Sequence, residues 1–126
     1  MINTEIEENI VGIERIEVGP LMTKAVVHGD TVYLSGLVAS KTLGQNVAEQ
    51  TREILSLIDG YLVQAGTDKS KLLRANIWLT DISTWAEMNG AWTQWIDPKN
   101  PPARATVEAK LANPKASVEI MVVAAK

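Results

Sequence analysis

The sequence predicts an α+β fold in a single domain (residues 1–126), with a mixed β-sheet and two long helices on one face. Three observations support this prediction. Two long segments repeat apolar residues at the 3.6-residue helical period, and the other segments alternate apolar and polar residues or are rich in β-branched ones. The segments follow the order β-β-β-α-β-α-β-β, which is typical of helices covering one sheet face. A length of 126 residues, with 46% hydrophobic and 21% charged residues, matches one globular domain.

Three strands are predicted in the first third of the chain. Residues 12–18 alternate apolar and charged side chains, and Gly19-Pro20 ends this strand because proline fixes φ and lacks a backbone donor. Residues 24–28 and 31–36 are rich in β-forming side chains, and only Gly29-Asp30 separates them. A two-residue connection of this kind predicts a β-hairpin.

The first helix is predicted over residues 46–64. Asn46, with Glu49 three residues later, resembles a capping box at its start, and Gly66 is a suitable stop. One face is predicted to be buried: Val47, Thr51, Ile54, Leu55, Ile58 and Leu62. The opposite face is predicted to be polar: Glu49, Gln50, Glu53, Ser56 and Asp59.

The second helix, over residues 83–96, follows a predicted strand at residues 71–80. One face of that strand carries Leu73, Ala75, Ile77 and Leu79, and the other carries Arg74, Asn76 and Trp78. The helix carries a single apolar stripe: Trp85, Met88, Trp92, Trp95 and Ile96. Such a stripe is more often part of a core than a platform for a ligand.

The last two strands are predicted at residues 103–111 and 117–125, and the final one is apolar on both faces. One face carries Val118, Ile120, Val122 and Ala124, and the other carries Glu119, Met121, Val123 and Ala125. This pattern is typical of a central strand that is covered on each side. Two helices on one face leave the other face to a second sheet or a second subunit, so we expect an oligomer.

Composition and motifs exclude several classes of function. The chain has no cysteine, which excludes disulfides, cysteine-ligated metals and thiol nucleophiles, and it shows no glycine-rich phosphate loop or metal-ligand cluster. Its net charge of −3 argues against a dedicated nucleic-acid binder. The longest apolar run, residues 120–125, is far shorter than the ~20 residues of a membrane span, and residues 1–8 do not resemble a signal peptide. We therefore expect a cytoplasmic protein without a nucleic-acid or membrane partner.

Glu119 and Arg104 are the strongest candidates for chemistry. Glu119 lies in the final strand, where a covered carboxylate must be paired, hydrogen-bonded or protonated. The alternatives are a strand-end residue that reaches solvent or a structural salt bridge. Arg104 follows Pro101-Pro102, and its guanidinium fork suits bidentate capture of a carboxylate. Its strand nevertheless also alternates as an ordinary half-solvated strand does.

Three further polar residues have simpler interpretations. Asn89 lies one position off the apolar stripe of the second helix and either faces a site or caps local backbone. His28, the only histidine, has no visible acidic partner and is expected at a strand end. Ser35 lacks the flanking glycine of a nucleophile elbow, which argues against a serine hydrolase.

An ordered set of motifs resembles the Rid family of reactive-intermediate deaminases, also called the YjgF family. Residues 102–108 read Pro-Ala-Arg-Ala-Thr-Val-Glu, similar to the family's Pro-x-Arg-x-x-Val-x signature, and Pro114 and Val118-Glu119-Ile120 follow. Supporting matches lie at Gly19-Pro20, residues 33–36, residues 46–66, residues 80–82 and residues 88–89. The resemblance spans residues 12–125, and residues 92–95 with residues 112–115 resemble the small YoaB-like branch.

This resemblance implies a chorismate-mutase-like fold and a homotrimer whose sheets form a central barrel-like core, with clefts at the subunit interfaces. It implies that Arg104 holds a substrate carboxylate and that Glu119 positions water. It places the backbones of Gly36 and Thr106 in the pocket lining, and Asn89 near the site. Members with deaminase activity carry a tyrosine just after the Gly-Pro pair, where this chain has Leu21.

The function that the resemblance implies is hydrolysis of reactive 2-enamine and 2-imine acids to 2-keto acids and ammonia, without a metal or an organic cofactor. Such imines already react with water, so the protein needs mainly to orient substrate and water and to stabilise developing charge. The alternative is a non-catalytic trimer that binds or senses small carboxylates through Arg104. Ribonuclease, an old label for this family, is disfavoured by the acidic net charge and the lack of a His/Lys constellation.

Overall fold

In a computed structural model that describes residues 12–126, six strands form one open mixed sheet that packs against two α-helices. The strands are β1 (Ile13–Val18), β2 (Thr23–His28), β3 (Thr31–Leu34), β4 (Leu72–Leu79), β5 (Ala103–Glu108) and β6 (Val118–Ala125). The helices are α1 (Val47–Gln64) and α2 (Trp85–Trp95), and short 3₁₀ helices, Lys69–Lys71 and Ile82–Thr84, precede β4 and α2. The predicted α+β class is confirmed.

The sheet has the strand order β1-β2-β3-β6-β4-β5. β1, β2 and β3 form an antiparallel meander, and Gly29-Asp30 makes the predicted hairpin turn between the last two, with Gly29 in the left-handed region at φ +61°. β6 lies between β3 and β4 and is antiparallel to both, whereas β4 and β5 are parallel and connected through α2. The final strand is therefore central, as its two apolar faces predicted, and β1 and β5 are the edges.

The hydrophobic core lies between one sheet face and the two helices. Four side chains of β6 are fully buried there: Val118, Ile120, Val122 and Ala124. They pack in one cluster with Ile54 and Ile58 of α1 and Met88 of α2. The alternate residues of β6 are only half-buried, so the second sheet face stays partly open to solvent in a single chain. We call it the uncovered face.

α1 begins and ends where the sequence predicted. The Glu49 backbone N–H donates to Asn46 Oδ1 at 2.9 Å, which is one of the two bonds of a capping box. The Glu49 side chain pairs with Arg52 instead of returning to the cap. Gly66 has φ +83°, the left-handed conformation that commonly follows a helix end.

Two predictions of which apolar residues face the core are wrong. A β-bulge between Leu72 and Arg74 shifts the register of β4, so Leu72 is buried and Leu73 is 51% exposed. Trp85, predicted as part of the apolar stripe of α2, is 48% exposed at the first turn of that helix. Met88 and Trp92 are buried as expected.

The predicted polar face of α1 is also partly wrong, because Gln50 is fully buried. Its amide nitrogen donates to the backbone carbonyls of Gln45 and Lys115, and its oxygen accepts the Ser117 N–H at 2.8 Å. These bonds satisfy the buried amide and tie α1 to the segment that enters β6. Gln50 therefore fixes the chain just before Glu119.

Glu53, also predicted on the polar face of α1, holds the loop that follows β3. Its carboxylate accepts hydrogen bonds from the backbone N–H groups of Ser40, Lys41 and Thr42 and from two hydroxyls. Desolvation opposes its charge, but these hydrogen bonds prevail and lower the pKa of Glu53 from 4.5 to about 2. The loop beyond Gly36 is thereby fixed to α1.

Neither helix within residues 12–126 combines the length and the apolarity needed to cross a membrane.

Candidate functional site

Arg104 lies on the edge strand β5 and points toward the helix-covered face. In the parallel register of β4 and β5, Arg104 pairs with Ala75 and Thr106 with Ile77, and both partners are buried beneath the helices. Val107, which points the other way, is 50% exposed. The interpretation of β5 as an ordinary half-solvated strand is therefore wrong, because its polar residues face the helices and Val107 faces outward.

The guanidinium of Arg104 packs against the indole ring of Trp92, with 5.2 Å between Cζ and the ring centroid. Burial lowers the pKa of Arg104, although an arginine side chain stays charged. No carboxylate among residues 12–126 forms a salt bridge with it. A half-buried cation that lies on an aromatic ring and lacks a counter-ion is a good binding point for an anion. Trp92 is thus both a core residue and a wall of the site.

Two uncharged polar residues lie at the same seam between α2 and β5. Asn89 precedes Trp92 by three positions on α2, and Thr106 follows Arg104 by two on β5, so each pair shares one side of its element. Asn89 Oδ1 and Thr106 Oγ1 are buried and have no hydrogen-bond partner among residues 12–126. Asn89 therefore does not cap local backbone through this oxygen. We call Asn89, Trp92, Arg104 and Thr106 the Arg104 half-site.

Glu119 lies on the uncovered face, as the second residue of β6. It pairs with Trp78 of β4 and is half-buried. Its carboxylate lies against Gly36, where an added Cβ would overlap Oε2 and come within 3.1 Å of Cδ. The Glu119 carboxylate can therefore take this position only because residue 36 is a glycine. The salt-bridge alternative finds no partner for Glu119 within the described residues.

Ser35 directly precedes Gly36 in the chain, and its role in a site was not predicted from the sequence. Its Oγ is buried without a hydrogen-bond partner among residues 12–126, while its N–H donates to the Lys24 carbonyl at 2.9 Å. The one signal in the sequence was its position next to Gly36. We call Ser35, Gly36 and Glu119 the Glu119 half-site.

The two half-sites lie on opposite faces of the sheet within one chain. Arg104 shares the helix-covered face with Ala75, whereas Glu119 shares the uncovered face with its partner Trp78. β6 and β5 are two strands apart, about 10 Å at ordinary strand spacing, and the side chains diverge from there. Arg104 and Glu119 of a single chain therefore cannot contact the same small molecule.

The remaining sequence candidates lie outside both half-sites. His28 is the exposed last residue of β2, as predicted for a strand-end polar residue. Leu21, in the turn between β1 and β2, is 96% exposed and is flanked by exposed Val18 and Met22. Residues 12–126 contain no group of three or more His, Asp or Glu side chains arranged to hold a metal ion.

Comparisons with known proteins match almost all of the described chain. The family model described as Endoribonuclease L-PSP matches residues 13–126. A RutC family protein of Haemophilus influenzae is 44% identical over 112 residues, which cover 89% of this chain and 97% of that protein. The RutC family protein YoaB of Escherichia coli is 40% identical over 113 residues, which cover 90% of this chain and 97% of that protein. A crystal structure of a YjgF family member from Neisseria meningitidis superposes with a TM-score of 0.87 at 40% identity. The superposition covers 90% of this chain and 94% of that one. These matches confirm the resemblance found in the sequence.

Proposed function

The chain belongs to the Rid family, named RutC and YjgF in these relatives, and from that premise we propose that it hydrolyses reactive 2-enamine and 2-imine acids to 2-keto acids and ammonia. The observation that carries the proposal is the half-buried guanidinium of Arg104, which lies on Trp92 without a carboxylate partner in the described chain. A small carboxylate supplies the missing charge.

Each active site, in this proposal, is built by two copies of the chain within a homotrimer. One copy supplies the Arg104 half-site and its neighbour supplies the Glu119 half-site. The divergence of the two half-sites within one chain supports this arrangement. The uncovered face supports it as well, because Met121 and Val123 of β6 are apolar and only half-buried there.

The chemistry requires addition of water to C2 of the imine, followed by cleavage of the C2–N bond. Arg104 of one copy binds the carboxylate and orients C2. Glu119 of the neighbouring copy accepts a proton from the attacking water and gives it to the imine nitrogen, which yields the carbinolamine. It then transfers the proton of the C2 hydroxyl to the amino group, so that the C2–N bond breaks and a 2-keto acid and ammonia are released. An enamine first becomes the imine by gaining a proton at C3 and losing one from its nitrogen. No proton is consumed in the net hydrolysis of the neutral imine.

The direct test generates 2-iminopropanoate in situ with an amino-acid oxidase and follows trapping of the imine by semicarbazide. Active protein competes with semicarbazide and lowers the semicarbazone yield. Glu119→Gln should abolish the competition, because an amide can hydrogen-bond water but cannot transfer a proton. The matched control is Glu14→Gln, since Glu14 is an exposed residue of β1. Equal semicarbazone yields with and without wild-type protein would contradict the proposal.

A second candidate is a non-catalytic trimer that binds small carboxylates, and Leu21 is the observation that favours it. The family resemblance implies a tyrosine just after the Gly-Pro pair in members with deaminase activity, and Leu21 provides no hydroxyl there. One experiment distinguishes the hydrolase from the binding trimer. Saturable binding of 2-oxobutanoate that depends on Arg104, without any effect on imine lifetime, would identify the binding trimer.

A further inference from the structure

Two cations among residues 12–126 lie on indole rings, and one of them is outside both half-sites. Lys69 Nζ is 5.2 Å from the ring centroid of Trp95, and Arg104 Cζ is 5.2 Å from that of Trp92. The two indole rings contact each other, with 5.4 Å between their centroids and a tilt of 58° between their planes. Trp95 therefore carries a cation of its own, and the proposed hydrolysis makes no use of it.

Trp95 lines an open cavity of about 260 Å³ between α1, α2 and the 3₁₀ helix that precedes β4. Leu55 and Ala91 are buried and form an apolar floor. Asp59 and Lys69 also line the cavity, and both are half-buried. Sites for drug-sized ligands have volumes of about 300–1,000 Å³, so this smaller cavity suits a molecule of the size of one amino acid. We call it the Trp95 cavity.

The two half-buried charges of the Trp95 cavity are not paired with each other. The Trp95 indole N–H donates to Asp59 Oδ2 at 3.0 Å, and neither Asp59 nor Lys69 forms a salt bridge with a residue of the described chain. Because both contact the same indole, the carboxylate and the ammonium lie no more than about 10 Å apart. Arg52, which also lines the cavity, is paired with Glu49 and adds no unpaired charge. The cavity thus combines an unpaired carboxylate, an unpaired ammonium and an apolar floor.

We propose that the Trp95 cavity is a second small-molecule site, which binds a free 2-amino acid with an apolar side chain. Lys69 binds the carboxylate, Asp59 accepts hydrogen bonds from the ammonium, and the side chain covers Leu55 and Ala91. In a 2-amino acid the two charged groups are attached to one carbon, so with a hydrogen bond of about 2.9 Å at each end the molecule spans the distance from Asp59 to Lys69. A ligand with a single charge leaves the other half-buried charge unpaired, which is unfavourable.

The Trp95 cavity is separate from the proposed active site. It lies on the helix side of the sheet, opposite to the uncovered face through which the proposed trimer assembles. No residue of the Arg104 half-site or of the Glu119 half-site lines it. The inference therefore does not depend on the hydrolytic function, and amino-acid binding is measurable whether or not the protein hydrolyses imines.

The test follows the indole N–H signals of isotope-labelled protein by NMR, and the Trp95 signal is the one that disappears in Trp95→Phe. This N–H reports on the cavity because it donates to Asp59. Titration with L-leucine should shift the signal to saturation. Two analogues with the same carbon skeleton test the two charges: 4-methylpentanoate lacks the ammonium, and 3-methylbutylamine lacks the carboxylate. Each analogue should bind about ten- to a hundredfold more weakly than L-leucine, the value of a hydrogen bond between charged groups.

Two variants remove the charges from the protein instead of from the ligand. Asp59→Asn should remove the advantage of L-leucine over 4-methylpentanoate, and Lys69→Gln should remove its advantage over 3-methylbutylamine. The asparagine amide oxygen still accepts the Trp95 N–H, so the thermal unfolding temperature of Asp59→Asn should barely change. Lys71→Gln is the matched control, because Lys71 is exposed at the other end of the same 3₁₀ helix and does not line the cavity. Should Asp59→Asn fail to fold, Lys69→Gln and the two analogues still decide the question.

Repeating the titrations in Arg104→Lys shows which site the ligand occupies. L-Leucine should bind this variant as it binds the wild type, because Arg104 does not line the cavity. Loss of the Trp95 shift in Arg104→Lys would place the amino acid in the Arg104 half-site and overturn the inference. Equal affinity for L-leucine and 4-methylpentanoate, unchanged L-leucine binding in both Asp59→Asn and Lys69→Gln, or no saturable shift of the Trp95 signal would overturn it as well.

Discussion

Replacing Arg104 by lysine keeps the positive charge of the Arg104 half-site and removes the planar guanidinium. Lysine is a point donor that cannot form the two parallel bonds by which a guanidinium binds a carboxylate. It also loses the flat contact with the Trp92 ring, where Cζ of Arg104 lies 5.2 Å from the centroid. We therefore expect Arg104→Lys to bind substrate in the wrong orientation while the fold is retained.

The magnitude follows from the two interactions that are lost. One hydrogen bond to a charged group contributes about 1.5–3 kcal/mol, and the ring contact contributes about 0.5–1 kcal/mol at a partly exposed position. Part of each is recovered by the ammonium group, so the net loss is about 1.5–3 kcal/mol, or about ten- to 150-fold in kcat/KM.

The assay is semicarbazone competition at limiting 2-iminopropanoate, with thermal unfolding and sedimentation measured on the same samples. Arg52→Lys is the matched control, because Arg52 lies on the outer surface of α1 and pairs there with Glu49. Its activity should equal that of the wild type. Wild-type competition by Arg104→Lys would refute the reasoning, since Arg104 would then have no part in binding the carboxylate.

Three further predictions address other parts of the molecule. Gly36→Ala places a Cβ where Oε2 of Glu119 lies and should reduce kcat at least tenfold. The control is Gly60→Ala, because an added Cβ meets open space at this position of α1. It should leave kcat unchanged and stabilise the helix by about 0.5–1 kcal/mol. The pKa of Glu53 is lowered from 4.5 to about 2, so its stabilising effect is complete above pH 4.5 and is lost as the pH falls toward 2. In urea unfolding, Glu53→Gln should cost about 1–2 kcal/mol at pH 7 after allowance for solvent screening, and the loss should shrink toward pH 2. Purified protein should not cleave RNA, because a net charge of −3 offers little attraction for phosphates; cleavage that co-purifies with the protein and disappears in Arg104→Ala would contradict this.

The sequence predicted those features that local patterns determine. Asn46 and Gly66 mark the two ends of α1, and the structure has the helix cap and the left-handed glycine at these residues. The two apolar faces of residues 118–125 predicted a central strand, and β6 lies between β3 and β4. Each of these features depends on short-range spacing that the sequence displays directly.

The features that the sequence could not predict depend on distant partners. Gln50 looks like a surface residue in a helical pattern, and it is buried because backbone groups of residues 115–117 satisfy its amide. Alternation along β5 identifies two faces, but only the parallel register with β4 decides that Arg104 lies on the helix side. The candidate residues were therefore predictable, whereas their division between two faces of the sheet was not.

The central claim is that two copies of the chain build each site, and mixing two inactive variants tests it most directly. Arg104→Lys chains keep an intact Glu119 half-site, and Glu119→Gln chains keep an intact Arg104 half-site. When the two are unfolded and refolded together in equal amounts, random assembly should make about a quarter of the sites intact, with recovery of about that share of wild-type activity. Each variant refolded alone should remain as weak as before. Recovery no greater than the average of the two variants alone would contradict the claim, because it would mean that Arg104 and Glu119 act within one chain.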